Sequence, residues 1–302
     1  MTTTYDGPNA LGRATLRPTR SRRMMRAAIH FLSYHFILNR RRTTHTHVAG
    51  FRLIVRPMVF HPRYFLTSGF FARFLLKLDL SGKKVADVGT GSGILALAAA
   101  QAGAASVLAL DINPNAARTA VENAHVNGFG GSIRAIGSNL LSAVTPRPLF
   151  DVILSSPPSF AGEPRDLADR AWHAGPNYRD ILMLFAQARE RLASDGCMYL
   201  LLSTDSDLGM LGNHIKRAGF AARLVAEHSI FIESFLLYEL TVQSASSMPF
   251  TAAQSIRGRL TTGSVFRTFF EMATQRMAGL RSPLGRNRSG PGRQQTEDRH
   301  CH

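Results

Sequence analysis

The chain has 302 residues, 45% of them hydrophobic and 19% charged, an ordinary balance for a folded globular protein that excludes collagenous and low-complexity classes. Its formal net charge of +16 lies in the flanks: residues 1–56 carry 11 basic and 1 acidic side chain, residues 245–302 carry 9 and 3, and residues 57–244 carry 16 of each. Two cysteines, Cys197 and Cys301, exclude a disulfide framework or a cysteine-based zinc site, and no apolar run approaches the roughly 20 residues of a membrane span.

Residues 1–23 mix Gly, Pro, Thr and Arg without periodicity and read as a disordered, Arg-rich tail. Residues 24–80 read as an accessory segment. Within it Met24–Leu38 is a helix apolar on most faces, Phe51–Phe60 is extended and interrupted by Pro57, and Thr67–Leu78 is a helix running into the central domain. His45 and His47 in THTH have no companion cluster elsewhere, so no metal site is expected.

From Lys84 the pattern alternates. KVADVG, SVLALDI, SIRAIG, FDVILSS, CMYLLLS, AARLVAE and ESFLLYELTVQ read as strands, and ILALAAAQAG, PNAARTAVENAHVNG, YRDILMLFAQARERLA and DLGMLGNHIKRAG as helices. Such repeated β-α units predict an α/β domain over residues 81–244, with a mostly parallel seven-stranded sheet, helices on both faces and an antiparallel last strand. Residues 245–280 read as a helical extension containing a helix at Val265–Met277, and residues 281–302 as a disordered basic tail.

The most specific signal is VADVGTGSGIL, where Asp87 closes a strand and Gly89, Gly91 and Gly93 precede a helix. Glycines there let a ligand approach the backbone. The spacing is wrong for a dinucleotide loop, because the third glycine comes one position early and Ile94 fills the place that must be small. A second carboxylate, Asp111, ends the next strand 22 positions after Gly89, near the offset at which an acid meets ribose hydroxyls. An acid followed by G-x-G-x-G resembles the Rossmann-like, class I S-adenosylmethionine (SAM) methyltransferases, a likeness covering Lys84 to about Leu240. It implies SAM as cofactor, bound by Asp87, Gly89, Gly91, Gly93, Asp111, Ile112, Asn139, Leu140 and Ser155. Asn139 stands where that family usually has an adenine-capping Asp.

Past the fourth strand the chain reads Ser155-Ser156-Pro157-Pro158-Ser159-Phe160. In amino-group methyltransferases this place holds Asn/Asp-Pro-Pro-aromatic. There a side-chain carbonyl and a proline carbonyl accept the N–H bonds of the methyl acceptor, and fixed φ angles keep the loop rigid. Here Ser156 replaces Asn/Asp and Ser159 the aromatic. The resemblance implies that Ser156, Pro157 and Pro158 handle the acceptor, with Phe160, Trp172 and His173 as substrate-binding residues and His173 a candidate general base. His61 and Tyr178 are expected in loops flanking the site, and Glu233 is expected to be structural or at a sheet edge.

FRLIVRPMVFHPRYFLTSGFFARFL and AWHAGPNYRDIL are similar to segments of the small-domain methyltransferases, which include release-factor glutamine N5-methyltransferases and ribosomal-RNA guanine N2-methyltransferases. The expectation is a cytoplasmic enzyme that methylates a nitrogen of a protein glutamine or a nucleic-acid base, reaching its protein or polyanionic partner through the Arg-rich flanks. A small-molecule acceptor, and a non-catalytic RNA- or protein-binding descendant, stay open as alternatives.

Overall fold

The computed structural model describes residues 42–63, 66–230 and 233–243. They belong to the first of two units, Met1–Ala245; the second, Ser246–His302, lies outside the described residues, as do the helices expected at Met24–Leu38 and Val265–Met277.

Two strands open the described chain, β1 (Thr44–Val48) and β2 (Phe51–Val55), paired as an antiparallel hairpin. Its two-residue turn, Ala49-Gly50, has positive φ at both positions (53° and 88°), the twist that matches a right-handed hairpin. The strand at β1 was not foreseen. THTHV alternates in it, with Thr46 buried and His45 and His47 exposed, so the two histidines are the outward face of a strand.

After α1 (Leu66–Leu75) come β3 (Lys84–Val88), α2 (Ile94–Gln101), β4 (Ser106–Asp111), α3 (Pro114–Val126), β5 (Ile133–Gly137) and β6 (Phe150–Ser155). The second half is α4 (Arg179–Arg191), β7 (Leu192–Ser203), α5 (Leu208–Arg217), β8 (Phe220–Ser229) and β9 (Ser234–Val242). Seven strands form one sheet in the order β5-β4-β3-β6-β7-β9-β8, parallel except for β9, which runs antiparallel to both neighbours. The expected seven-stranded α/β architecture is therefore present.

Alternating side chains divide the core between the two faces. Val85, Val107 and Leu154 pack with α1, α2 and α3, whereas Ala86, Val88 and Ile153 pack with α4 and α5. Caps start two of the helices. The Asn113 side chain accepts from Asn115 N at 3.0 Å ahead of Pro114, and Asp207 accepts from Met210 N at 2.9 Å.

The strand order reverses between β3 and β6, and a crevice opens there beyond the carboxyl ends of the strands, the usual place for a ligand in an open α/β sheet. The hairpin is carried to this crevice by α3. Asn123, fully buried, accepts from Ile54 N at 2.7 Å and donates to Ile54 O and Ser92 O, both at 2.8 Å. One turn on, Asn127 accepts from Arg52 N and donates to Arg52 O. Two amides thus stand in for a neighbouring strand along the free edge of β2. Arg56 pairs with Glu122, and Asn113 donates to Met58 O at 2.8 Å, which places Met58–Phe60 beside the glycine loop.

Candidate active site

One cavity of about 400 Å³ occupies the crevice, within the range of roughly 300–1,000 Å³ typical of small-molecule sites. It is bounded by the loops after β3, β4, β5 and β6, by the end of β7, by the turn between β8 and β9, by Met58–Phe60 and by the start of α1.

The glycine loop is held at its start by Gly89 N and Thr90 N, which both donate to Leu110 O. Gly89 has φ 77° and nothing within 4 Å of the place a Cβ would occupy, so its bare backbone faces open space. Gly93 differs. It does not line the cavity, and a Cβ on it would stand 2.8 Å from Ala120 Cα, so it is a glycine because α3 packs against it.

Asp87 also departs from its expected place. It is fully buried beneath the loop and absent from the cavity wall. Its Oδ2 accepts from Thr90 Oγ at 2.6 Å and from Ala96 N at 3.2 Å, tying the loop to the first turn of α2, while Oδ1 has no hydrogen-bond partner. Burial pushes its pKa up to about 7, against the pull of those two bonds and with a further push from Asp111.

Asp111 reaches the cavity. Its oxygens accept from Gly91 N at 2.9 Å and Asn113 N at 2.8 Å, which fixes the carboxylate and leaves each oxygen a further lone pair. Burial raises its pKa, opposed by the same backbone bonds. Beyond it Ile112, 41% exposed, and Leu140, at φ 54°, present apolar side chains to the cavity, with exposed Asn139 between the latter and Ser138. An open glycine cradle, a fixed carboxylate and two apolar side chains fit an adenosyl group bearing a ribose.

At the other end, Ser155 turns its hydroxyl inward to donate to Val88 O at 3.0 Å, so it joins β6 to β3 at the cavity wall. Ser156, Pro157 and Pro158 form the rim. The next carbonyl, Ser159 O, accepts from Tyr178 Oη and Ser206 Oγ, both at 3.1 Å, and Tyr178 Oη in turn accepts from Asp207 N at 2.8 Å. Tyr178, buried, therefore locks the rim rather than flanking it; burial raises its phenol pKa.

Phe160, Trp172 and His173 come together from two ends of the loop. Phe160 N donates to Trp172 O at 3.0 Å, Ala174 N donates to Phe160 O at 2.9 Å, and the Phe160 and His173 rings lie 6.1 Å apart. Trp172 is 7% exposed and packs with Phe60 and Met58. His173 Nδ1 lies 3.3 Å from Asp169 Oδ1 without hydrogen-bond alignment. Burial works against the Asp169 charge, but bonds from Arg165 Nε and its backbone N–H outweigh it and hold the carboxyl below the usual range.

Glu233 lines the cavity and accepts from Ser203 Oγ at 2.6 Å, so it belongs to the site rather than only to a sheet edge. His61 does not line the cavity; it is buried against Thr44 Oγ, 3.2 Å away. Among the described residues no group of three or more His, Cys, Asp or Glu side chains is placed to hold a metal, and no helix is long and apolar enough to cross a membrane.

The residues missed from sequence are the ones that hold others: Thr90, Asn123, Asp169 and Gln187. Only Asn123 left a signal there, as half of an Asn pair spaced i, i+4 whose second member, Asn127, caps the end of an Ala-rich helix.

Residues 68–156 match the ribosomal protein L11 methyltransferase (PrmA) family, a match that begins in α1 and ends on the first residue of the rim. A ribosomal protein L11 methyltransferase of Pelotomaculum thermopropionicum is 37% identical over 140 residues, covering 38% of this chain and 46% of its own; the chain thus spans less than half the length of that relative. A Methanocaldococcus jannaschii protein, provisionally named a protein N5-glutamine methyltransferase, is 29% identical over 197 residues, 63% of this chain and 95% of that one. A solved Streptococcus mutans structure, provisionally titled a SAM-dependent methyltransferase, shares the fold with TM-score 0.50 at 12% identity, over 65% of this chain and 55% of its own. In its glycine loop, fixed Asp111 and sheet order, as in these likenesses, the chain is similar to the class I SAM-dependent methyltransferases.

Proposed function

We propose that the chain transfers the methyl group of SAM to a nitrogen of a protein acceptor. The observation that carries this reading is a single cavity with the glycine loop and Asp111 at one end and the Ser156–Pro158 rim at the other. SAM supplies an electrophilic methyl group on a sulfonium. The part left to this chain is positioning: Gly89 and Gly91 admit the cofactor, Asp111 accepts from its ribose, and Asn139, Ile112 and Leu140 flank its base. The Ser156 hydroxyl and Pro157 carbonyl accept the acceptor's N–H bonds, on a loop that Tyr178 and Ser206 keep from moving.

Charge favours a protein over a phosphodiester at the rim. The loop over residues 159–180, the turn after β7 and Glu233 together carry seven acids (Glu163, Asp166, Asp169, Asp180, Asp205, Asp207, Glu233) and three arginines (Arg165, Arg170, Arg179), so 3 − 7 = −4 in a chain of +16. Phosphates meet like charge there, whereas a basic polypeptide does not. The Arg-rich flanks, in this reading, grip a polyanionic particle that carries the basic acceptor protein. The names of the L11 and glutamine methyltransferase relatives support a protein acceptor. We place the reaction in the cytoplasm, where a free thiol such as Cys197 persists. A nucleic-acid base is the second reading, favoured by the Phe160 and Trp172 rings beside the rim as stacking surfaces.

Purified protein with methyl-labelled SAM, incubated with cell extract that is then separated into protein, RNA and metabolite fractions, tests this. Label is expected in protein and lost with Asp111→Ala. Label in RNA alone transfers the assignment to the second reading, and label in no fraction ends both.

A further inference from the structure

We infer that Gln187 and Arg191, at the carboxyl end of α4 and outside the cavity, fix the shape of the loop over residues 138–144 and so set the affinity for the adenosyl half of SAM. The inference rests on the SAM reading above and concerns residues that no part of it uses.

Ser138, Asn139 and Leu140 of this loop line the cavity, and Leu140 holds a left-handed backbone at φ 54°. A residue with a Cβ keeps such a conformation only where its neighbours are fixed. The loop's own bonds start that work: Ser138 N donates to Asp111 O, Ala143 N to Ser138 Oγ, and Val144 N to Leu141 O. Further anchoring to the rest of the fold comes from α4. Immediately after Leu140, Leu141 N donates to Gln187 Oε1 at 2.9 Å. At the far end, Val144 O accepts from Arg191 Nε at 3.0 Å and Nη2 at 2.7 Å.

Arg191 is 5% exposed, and its remaining Nη1 donates to Gln187 O and Glu190 Oε2, so the guanidinium is committed to backbone and a neighbouring carboxylate. Glutamine and arginine here sit one helical turn apart, at i and i+4, and grip the two ends of the strained segment between them. Loss of the Gln187 acceptor leaves Leu141 N without its partner and frees Leu140 to leave the left-handed region, carrying Asn139 with it.

The test compares Gln187→Leu, which removes the acceptor, with Gln187→Glu, which keeps one, in the full chain. Calorimetric titration with SAM and with S-adenosylhomocysteine is paired with amide hydrogen exchange at Leu141. Gln187→Leu is expected to weaken both ligands about fivefold, the loss of one hydrogen bond, and to speed exchange at Leu141. Gln187→Glu is expected to bind as the parent does. Unchanged affinity in Gln187→Leu overturns the inference, as does equal weakening in both variants. Failure of the parent chain to bind either ligand overturns instead the SAM reading beneath it.

Discussion

Gly89 and Gly93 share a left-handed backbone, yet the structure gives them different duties. At Gly89 an added methyl meets no atom, so Gly89→Ala costs only the backbone strain of an L residue at φ 77°, about 1 kcal/mol, while placing a methyl where the proposed reading puts the cofactor. At Gly93 the methyl meets Ala120 Cα at 2.8 Å and Cβ at 2.9 Å in addition to that strain, and Gly93→Ala is expected to cost about 3 kcal/mol. Urea denaturation and SAM titration on both variants separate the cases: Gly89→Ala should lose binding with little stability, and Gly93→Ala should lose stability first. Asp87 carries a pH signature of its own. Its carboxyl ordinarily titrates at 3.8 and is pushed up to about 7 in the fold. Below about pH 4 folded and unfolded chains both hold the proton and burial costs nothing. Between there and pH 7 the unfolded chain ionises and the folded one does not, so stability falls as pH rises, by about 1.4 kcal/mol per unit and at most about 4 kcal/mol in all. Above pH 7 the penalty is constant. Asp87→Asn should lack this slope when unfolding is followed from about pH 4 to pH 8, and an equal slope in both proteins removes Asp87 as its source. The sequence located the loop from Asp87, Gly89, Gly91 and Gly93, but it gave no means to tell cradle from support. That division depends on Ala120 and Ala96, which meet the loop only after α2 and α3 have packed.

Elements were far more legible than contacts. The seven strands of the sheet and the helices over both faces follow from alternating apolar periods and from Asn113-Pro114 at the start of α3. The exception, β1, has the sequence THTHV, whose single buried side chain in mid-strand, Thr46, is polar, so hydrophobic alternation does not reveal it. Its partner β2 in turn finds its second neighbour in the amides of α3, a pairing no local pattern encodes. The rim illustrates the same limit: Ser156-Pro157-Pro158 was visible, whereas the bonds from Tyr178 and Ser206 to Ser159 O cross from elements 19 and 47 residues away. The hairpin's attachment gives a prediction at this scale. Asn123→Ala removes three bonds to buried or half-buried backbone groups and should destabilise the fold by about 3 kcal/mol, at roughly 1 kcal/mol per bond. Asn127→Ala, acting on the exposed end of β2, should cost about 1 kcal/mol or less. Proteolysis should begin near Arg56 in the first variant and not in the second; equal resistance in both would show that α3 does not hold the hairpin.

At the scale of the whole chain, two charge distributions oppose each other. Residues 42–243 carry 19 basic and 16 acidic side chains, a net of +3, so +13 of the total +16 lies outside them, while the loop over residues 159–180, the turn after β7 and Glu233 sum to −4. Such a layout suits a two-part encounter, in which arginines capture a polyanionic particle by long-range attraction and the acidic rim then admits a basic segment displayed on it. Capture of this kind changes rates by about tenfold or more at low ionic strength and fades as the Debye length shrinks. Changing the nine arginines of residues 245–302 to glutamine in the full chain, for a net charge of 16 − 9 = +7, should therefore leave SAM affinity unchanged. Transfer of labelled methyl into the protein fraction should fall by about tenfold at low salt, and the two proteins should converge as salt is raised to about 0.5 M. Equal transfer rates at every salt concentration would show that the flanks take no part in reaching the acceptor, and the acidic rim would then have to find its partner unaided.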